Sequence, residues 1–405
     1  MKTTLDHPHL ISLAAGFTDH ETLPVRETRE LLKDILRSGP TGRSTLQYGT
    51  TAGDERLRFL TARRLEQLDQ AAPHDGPRTS CDPGHILITN GSQQLLYMLS
   101  EALCDPNDIV LVEDPTYFVY LSIAHSHGLR CRGIQMEPDG IRLDHLEQTL
   151  QSLRRNKELH RVKFLYLITY YQNPSGITTC LEKKKRALEL LRSYEKHAGH
   201  PIYLVEDAAY RELRFAGQDV PSALPWDPSR VIYVGTYSKP FATGIRAGFG
   251  CLPAPLLRVL TRLKANHDFG TANLIQQVLS RALDIGAYDR HLLRLRRRYG
   301  RKARIMADAL SEFFPASVAW QPPDGGLYIW ARLPKRARTG TKGSLFKKVL
   351  GQDVLYVPGE LCYADDPTRR KPASEMRLSF GGARQHHIQE GIQRLGRVLA
   401  SLLPN

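Results

Sequence analysis

Five stretches of this chain hold an apolar run with no alternation: HILIT (85–89), DIVLVE (108–113), KFLYLIT (163–169), PIYLVE (201–206) and VIYVG (231–235). A strand with one wet face alternates apolar and polar residues, whereas a strand that does not alternate is covered on both faces. Helical patterns lie between the runs, as in SQQLLYMLSEAL (92–103) and CLEKKKRALELLRSYEKHA (180–198). Buried strands alternating with helices predict an α/β fold, a large domain with a mostly parallel sheet between helices. After about residue 285 the pattern changes. A long basic helix, YDRHLLRLRRRYGRKARIMADALSEFF, is followed by shorter strand candidates, GLYIWARL, VLYVPG and EMRLSF. These predict a smaller α+β domain. The division expected is 1–45 as an N-terminal arm and part of the small domain, 46–285 as the large domain and 286–405 as the C-terminal small domain.

The formal net charge of +14 raises the question of an acidic partner such as nucleic acid. In the basic helix, Leu292, Leu295, Tyr299, Ala303, Met306 and Leu310 recur at helical spacing, so one face is packed and the arginines are expected on the solvent face. No winged helix, zinc finger or aromatic RNA-binding motif accompanies it, so no nucleic-acid partner is expected. The six cysteines, Cys81, Cys104, Cys131, Cys180, Cys251 and Cys362, have no paired spacing, which suggests neither a disulfide framework nor a metal site. Reduced thiols fit a cytoplasmic protein. No run approaches the ~18 apolar residues of a membrane span, and the N-terminus lacks a signal-peptide layout, so no membrane partner is expected.

In an open parallel sheet, ligands bind outside the C-terminal ends of the strands. After HILIT comes NGSQQ, with Ser92 and Gln93 at a helix start, where free N–H groups and the helix dipole suit a phosphate. Ser92 could equally be an N-cap. After DIVLVE comes DPTYF, with Tyr117 as a flat ring. After KFLYLIT comes YYQNPSG, with Asn173 before a turn. After PIYLVE come Asp207 and, one helical turn on, Tyr210. A carboxylate there is costly to bury unless something positive meets it. After VIYVG come Thr236, Ser238, Lys239 and then Arg246. Pyridoxal 5'-phosphate asks for this set: a lysine for its aldehyde, an acid for its pyridine nitrogen and an anion site for its phosphate.

The chain resembles the fold type I pyridoxal-phosphate aminotransferases of class I/II. It is most similar to the branch with 2-aminoadipate, kynurenine and broad-range aminotransferases, which also includes the aminotransferase-like half of certain winged-helix regulators. The matching pieces span nearly the whole chain: LISLAAGF, LQYGTTAGDERLR, ITNGSQQ, VEDPTY, YYQNPSG, VEDAAYREL, GTYSKPFATGIRAG, PPDGGLYIW, VLYVPGELCY and EMRLSFGG. The resemblance implies that Lys239 carries the cofactor and that Asp207 keeps the pyridine nitrogen protonated. It implies that Asn173 and Tyr210 hydrogen-bond the ring oxygen and that Tyr117 stacks on the ring. Ser92, Gln93, Thr236 and Arg246 bind the phosphate, and Tyr48 reaches the phosphate of a neighbouring subunit in a homodimer with shared active sites. Arg377 clamps the substrate carboxylate, with Asn173 and Gly16 also at the substrate. Lys239, Asp207 and Tyr210 are the expected catalytic residues.

The implied reaction moves the amino group of an L-amino acid to a 2-oxo acid, with 2-oxoglutarate expected, by a ping-pong mechanism. A carbon–sulfur β-lyase could use the same residues, and a non-catalytic pyridoxal-phosphate-binding regulatory module is the reading from another class. LISLAAGF begins so near the start that no room for a DNA-binding domain is expected before it. Thr236 stands where serine is common, and KPFATG departs from the family's usual KTLAPG. His267 and Asp268, in the distinctive KANHDFGTAN, are read as structural polar contacts in preference to substrate contacts. The donor amino acid is left open.

Overall fold

The computed structural model describes residues 9–403, apart from His74 and Thr79. Its large sheet holds eight strands: β1 (Ile86–Thr89), β2 (Ile109–Asp114), β3 (Arg130–Glu137), β4 (Gly140–Ile141), β5 (Val162–Ile168), β6 (Tyr203–Asp207), β7 (Val231–Thr236) and β8 (Gly248–Cys251). Their order in space is β1-β8-β7-β6-β5-β2-β3-β4. β2, β3, β5, β6 and β7 pair in parallel, and β8 lies antiparallel between β7 and β1. β1 therefore points the same way as the parallel set.

All five expected strands are present within two residues of the apolar runs, and β1, β2 and β7 are buried at every residue. β3 and β8 were not anticipated. β3 reads RCRGIQME and stays partly exposed near the sheet edge, so it lacks an apolar run. β8 reads GFGC and is buried, but two glycines dilute its signal.

Connections run from β2 outward to β3, and from β5 the other way through β6 to β7. The sheet thus reverses direction between β2 and β5, where a crevice opens at the strand ends. The register sets the C-terminal residues side by side: Ile168 pairs with Asp207, Asp207 with Val234, Thr236 with Gly248, and Gly248 with Thr89.

A three-stranded antiparallel sheet follows, made of β9 (Tyr328–Arg332), β10 (Val357–Pro358) and β11 (Glu375–Ser379), with β11 in the centre. The N-terminal segment is bonded to the strands of this C-terminal region. Ile11–Ser12 pairs with Val354–Leu355, and Ser379 N donates to Leu13 O at 2.7 Å.

The basic helix spans Ala287–Phe313 and packs on the helix Gln385–Leu402. Leu292, Leu295, Tyr299, Ala303, Met306 and Leu310 are buried as expected. Its cations are less free than the sequence implied. Lys302 is buried, paired with Asp19 at 2.6 Å and donating to Gly381 O at 2.7 Å. Arg298 also pairs with Asp19, and Arg296 donates to Glu212 O. Arg290, Arg297, Arg301 and Arg304 do face solvent. Part of the positive charge therefore anchors the N-terminal segment and the loop after β6.

Candidate active site

A cavity of about 280 Å³ lies at the C-terminal ends of β5, β6 and β7. Lys239, Asp207, Tyr210, Ser92, Gln93, Tyr117, Asn173, Thr236, Arg246, Arg377 and Gly16 all line it. Tyr48 does not. It is 83% exposed, its ring edge-on to Phe269 at 5.3 Å, so its own chain does not bring it to this cavity.

The phosphate end is built by backbone. The helix Gly91–Leu103 opens at the cavity, its N-cap is Asn90, and no side chain caps it. Ser92 is therefore a first-turn residue and not the N-cap. The uncapped N–H groups and the helix dipole favour an anion there. Two glycines allow the close approach. A Cβ on Gly91, at φ +76°, would sit 2.6 Å from Arg246 Nη2, and one on Gly248 would sit 2.5 Å from Ser92 N. Arg246 holds a left-handed backbone, φ 48°, and donates to Ser238 Oγ at 3.2 Å. Thr236 Oγ1 accepts from Ser238 N and donates to Ala247 O, both at 3.1 Å. Its proton is thus committed to the loop that presents Ser238 and Arg246.

Asp207 ends β6 and is buried. Tyr166 OH donates to Oδ2 at 2.8 Å and Ala209 N to Oδ1 at 3.0 Å. Burial pushes its carboxyl up to about 6, and those two hydrogen bonds only partly oppose it. No cation among the described residues pairs with it, so a protonated ring nitrogen would supply the missing positive charge. The amine of Lys239, pushed down chiefly by burial and further by Arg377 and Arg246, donates to Gly16 O at 2.9 Å. A shift in this direction favours the neutral amine that attack on an aldehyde requires.

Arg377 comes from the central strand β11 and is buried. It donates from Nη1 to Asn173 Oδ1 and from Nη2 to Ala14 O, both at 2.6 Å. Its guanidinium lies over the Tyr328 ring at 4.3 Å and the Phe118 ring at 5.4 Å. Its Nε–H is buried with no partner, an orphan donor that suits a carboxylate. The uncapped helix, the unpaired Asp207, the perturbed Lys239 and this orphan donor together fit pyridoxal phosphate with an amino acid beside it.

Sequence reasoning missed Tyr328, whose OH lies 3.1 Å from Tyr210 OH, and Tyr166, which holds Asp207. Tyr328 sat within the quoted GGLYIW piece, but Tyr166 had no signal beyond being one more apolar-run residue. Asp268 does not line the cavity. It accepts from Lys264 at 2.6 Å, from Asn90 Nδ2 at 2.6 Å and from Gln94 Nε2 at 2.7 Å, pinning the first turn of the phosphate helix. His267 meets Glu101 at 3.0 Å. Both contacts are structural, in line with the reading favoured from sequence.

Residues 8–395 match the family described as aminotransferase class I and II. The chain is 34% identical to the aromatic-amino-acid aminotransferase 1 of Thermococcus litoralis over 96% of its length and 88% of the relative's. It is 32% identical to the 2-aminoadipate transaminase of Thermus thermophilus, over 98% of this chain and 91% of that one. Among solved structures, the kynurenine aminotransferase of Pyrococcus horikoshii, solved in complex with PMP, superposes with a TM-score of 0.88. That match has 30% identity and covers 100% of this chain and 94% of the other. The chain belongs to the class I and II aminotransferases and is a pyridoxal-phosphate-dependent enzyme of fold type I.

Proposed function

We propose that the enzyme takes the amino group from an L-amino acid with a neutral aromatic or large apolar side chain, with 2-oxoglutarate as acceptor, by a ping-pong course. One observation carries this reading: Lys239, Asp207 and Arg377 face a single cavity whose other wall is largely apolar. The charged groups lining it are Asp207, Lys239, Arg246 and Arg377, and each already has a use. Phe17, Leu96, Phe118, Val119 and Ile168 form the apolar wall. Among the described residues of this chain that line the cavity no spare cation is left for a donor side chain, so a neutral one suits it better than an acidic one. The similarity to the aromatic-amino-acid aminotransferase of Thermococcus litoralis supports the same class. The acceptor rests on the family resemblance.

When bound, pyridoxal phosphate supplies an aldehyde and a ring that drains electrons from the substrate α-carbon. The chain's residues do the rest. The amide terminus of the helix Gly91–Leu103, with Ser92, Gln93 and Arg246, holds the phosphate, and Thr236 shapes the loop beside it. Asp207 remains ionised against a protonated ring nitrogen, and Tyr166 and Ala209 keep it oriented. Tyr117 lies along the ring face, and Asn173 and Tyr210 address the ring oxygen. Arg377, oriented by Asn173 and Ala14, holds the α-carboxylate of amino acid and oxo acid alike, close to Gly16. Lys239 Nζ is the base that would take the proton from the substrate α-carbon.

The division at residues 45 and 285 is proposed with it, as is a homodimer in which Tyr48 of each chain reaches the partner's phosphate site. Exposed Tyr48 and Phe269, together on one surface, support this. No described helix is long and apolar enough to cross a membrane.

Initial-rate kinetics with a panel of amino acids tests the reading. Parallel double-reciprocal lines and a preference for aromatic donors are expected. Release of pyruvate and ammonia without need of an oxo acid would establish a β-lyase instead. No turnover with any donor in the presence of bound cofactor would favour a regulatory module.

A further inference from the structure

The spacing of the cysteines gave no sign of a pair, yet folding brings two of them together. Cys81 and Cys251 are 170 positions apart, and their Sγ atoms lie 3.1 Å from each other. The other four cysteines are also free thiols. A covalent S–S bond is about 2.05 Å long, so a shift of about 1 Å closes the gap.

Cys251 is the last residue of β8, paired with Ile86 on one side and Tyr233 on the other. Its position is fixed by two ladders. Cys81 lies in the irregular segment that leads into β1. Its N–H donates to Glu66 Oε1 at 3.0 Å, and the next residue, Asp82, caps the turn Pro83–His85 through Gly84 N at 2.7 Å. Cys81 is only 5% exposed, so a small disulfide reaches it when this irregular segment opens locally, while the strand holds Cys251 still.

We infer that Cys81 and Cys251 are a reversible disulfide site that staples the segment before β1 to the end of β8. The oxidant is a low-molecular-weight disulfide. The Cys81 thiolate attacks one sulfur of that disulfide, which expels one thiolate and leaves a mixed disulfide on Cys81. Cys251 sulfur then attacks the Cys81 sulfur, expelling the second thiolate, which takes the proton from Cys251. Two electrons pass from the protein to the small disulfide, and two small thiols leave. Cys251 is held in two ladders and Cys81 lies in the irregular segment, so Cys81 is the sulfur that meets the small disulfide first.

Neither sulfur lines the active-site cavity. β8 does reach that site from its other end, where Gly248 backs Ser92 N. The staple thus sits at the end of β8 away from Ser92 and does not touch the chemistry. Closing so long a loop constrains the unfolded chain by about 2–5 kcal/mol, which in a chain of this length is an expected rise of about 2–6 °C in melting temperature.

The test treats holoenzyme with excess oxidised glutathione, quenches it, alkylates it under denaturing conditions and maps the peptides. Of the six cysteines, two should escape alkylation, in one Cys81–Cys251 linked peptide. The melting temperature should rise and return on reduction with dithiothreitol, with kcat unchanged. Cys81→Ser and Cys251→Ser should each abolish the linked peptide and the rise. Six alkylated cysteines after prolonged treatment would overturn the proposal, and so would a stable glutathione adduct on Cys81 or a different linked pair. The mapping of the wild-type chain decides the matter even if a serine variant folds poorly.

Discussion

Replacing Arg377 by leucine separates substrate binding from cofactor binding. A guanidinium has five N–H donors, and two of them go to Asn173 Oδ1 and Ala14 O. Three remain, including the buried Nε–H without a partner. A carboxylate that takes two of these gains charge-assisted hydrogen bonds of about 1.5–3 kcal/mol each. At about 1.4 kcal/mol per decade, kcat/KM should fall about 10²- to 10⁴-fold, for amino acid and oxo acid alike. The loss should appear mainly in KM, because the carboxylate is held before and during the chemistry. Arg377→Lys keeps the charge but not the planar fork and should fall between. Leucine also leaves Asn173 Oδ1 and Ala14 O without donors, at about 1–3 kcal/mol of stability each. The melting temperature should therefore be measured beside the kinetics. Cofactor absorbance should be nearly unchanged. If Arg377→Leu bleached the cofactor while both KM values held, the carboxylate clamp would lie elsewhere.

Asp207→Asn should lower kcat by at least about one to two decades in single-turnover assays while substrate KM changes little, since a charged hydrogen bond of about 1.5–3 kcal/mol is lost from the chemical step. Wild-type turnover in that variant would remove Asp207 from the mechanism. Asp268→Asn loosens the contacts to Asn90 and Gln94 that pin the phosphate helix, and it leaves buried Lys264 without its counter-charge. Its affinity for pyridoxal phosphate should fall about tenfold, about 1.4 kcal/mol, with little change for pyridoxal, which lacks the phosphate. Equal losses for both would show a general structural role. Glu113 is fully buried, accepting from Ile168 N and Gln172 Nε2, and burial pushes its carboxyl up to about 8. A raised carboxyl pKa stabilises the fold fully below its unfolded value, near 4.5, and that contribution is lost as pH rises through about 8. The melting temperature of the wild type should thus fall between about pH 4.5 and 8 relative to Glu113→Gln and run parallel to it above that, and parallel curves across the whole range would refute the raised carboxyl.

The parallel sheet was legible because a strand covered on both faces has an apolar run without alternation, and β1, β2, β5, β6 and β7 each contain one. The strand ends were legible for a related reason. Asp207 and Lys239 interrupt apolar context where the crevice rule places ligands. Arg377, by contrast, was found only through family resemblance, since an arginine in EMRLSF has no local mark of being buried. The contacts that orient the site were not legible. Tyr166 to Asp207, Lys302 to Asp19 and Asp268 to Asn90 join residues 41, 283 and 178 positions apart. No periodicity within one element encodes such pairs. The same holds for Cys81 and Cys251, which meet only because β8 folds back antiparallel between β1 and β7. Tyr48 is a different case: it is exposed and away from the cavity, and the role proposed for it lies across a dimer interface.

Lys239 is the residue on which the site reading turns, and borohydride reduction of the holoenzyme tests it most directly. Reduction fixes the cofactor to the amine that carries it, and peptide mapping names that amine. Lys239 is the lysine that lines the cavity, whereas buried Lys264 is held by Asp268 outside it. One labelled peptide containing Lys239, at one cofactor per chain, is the expected result, and Lys239→Ala should lose both the label and turnover. Stoichiometric label on Lys264 or any other lysine, with Lys239 unmodified, would contradict the assignment.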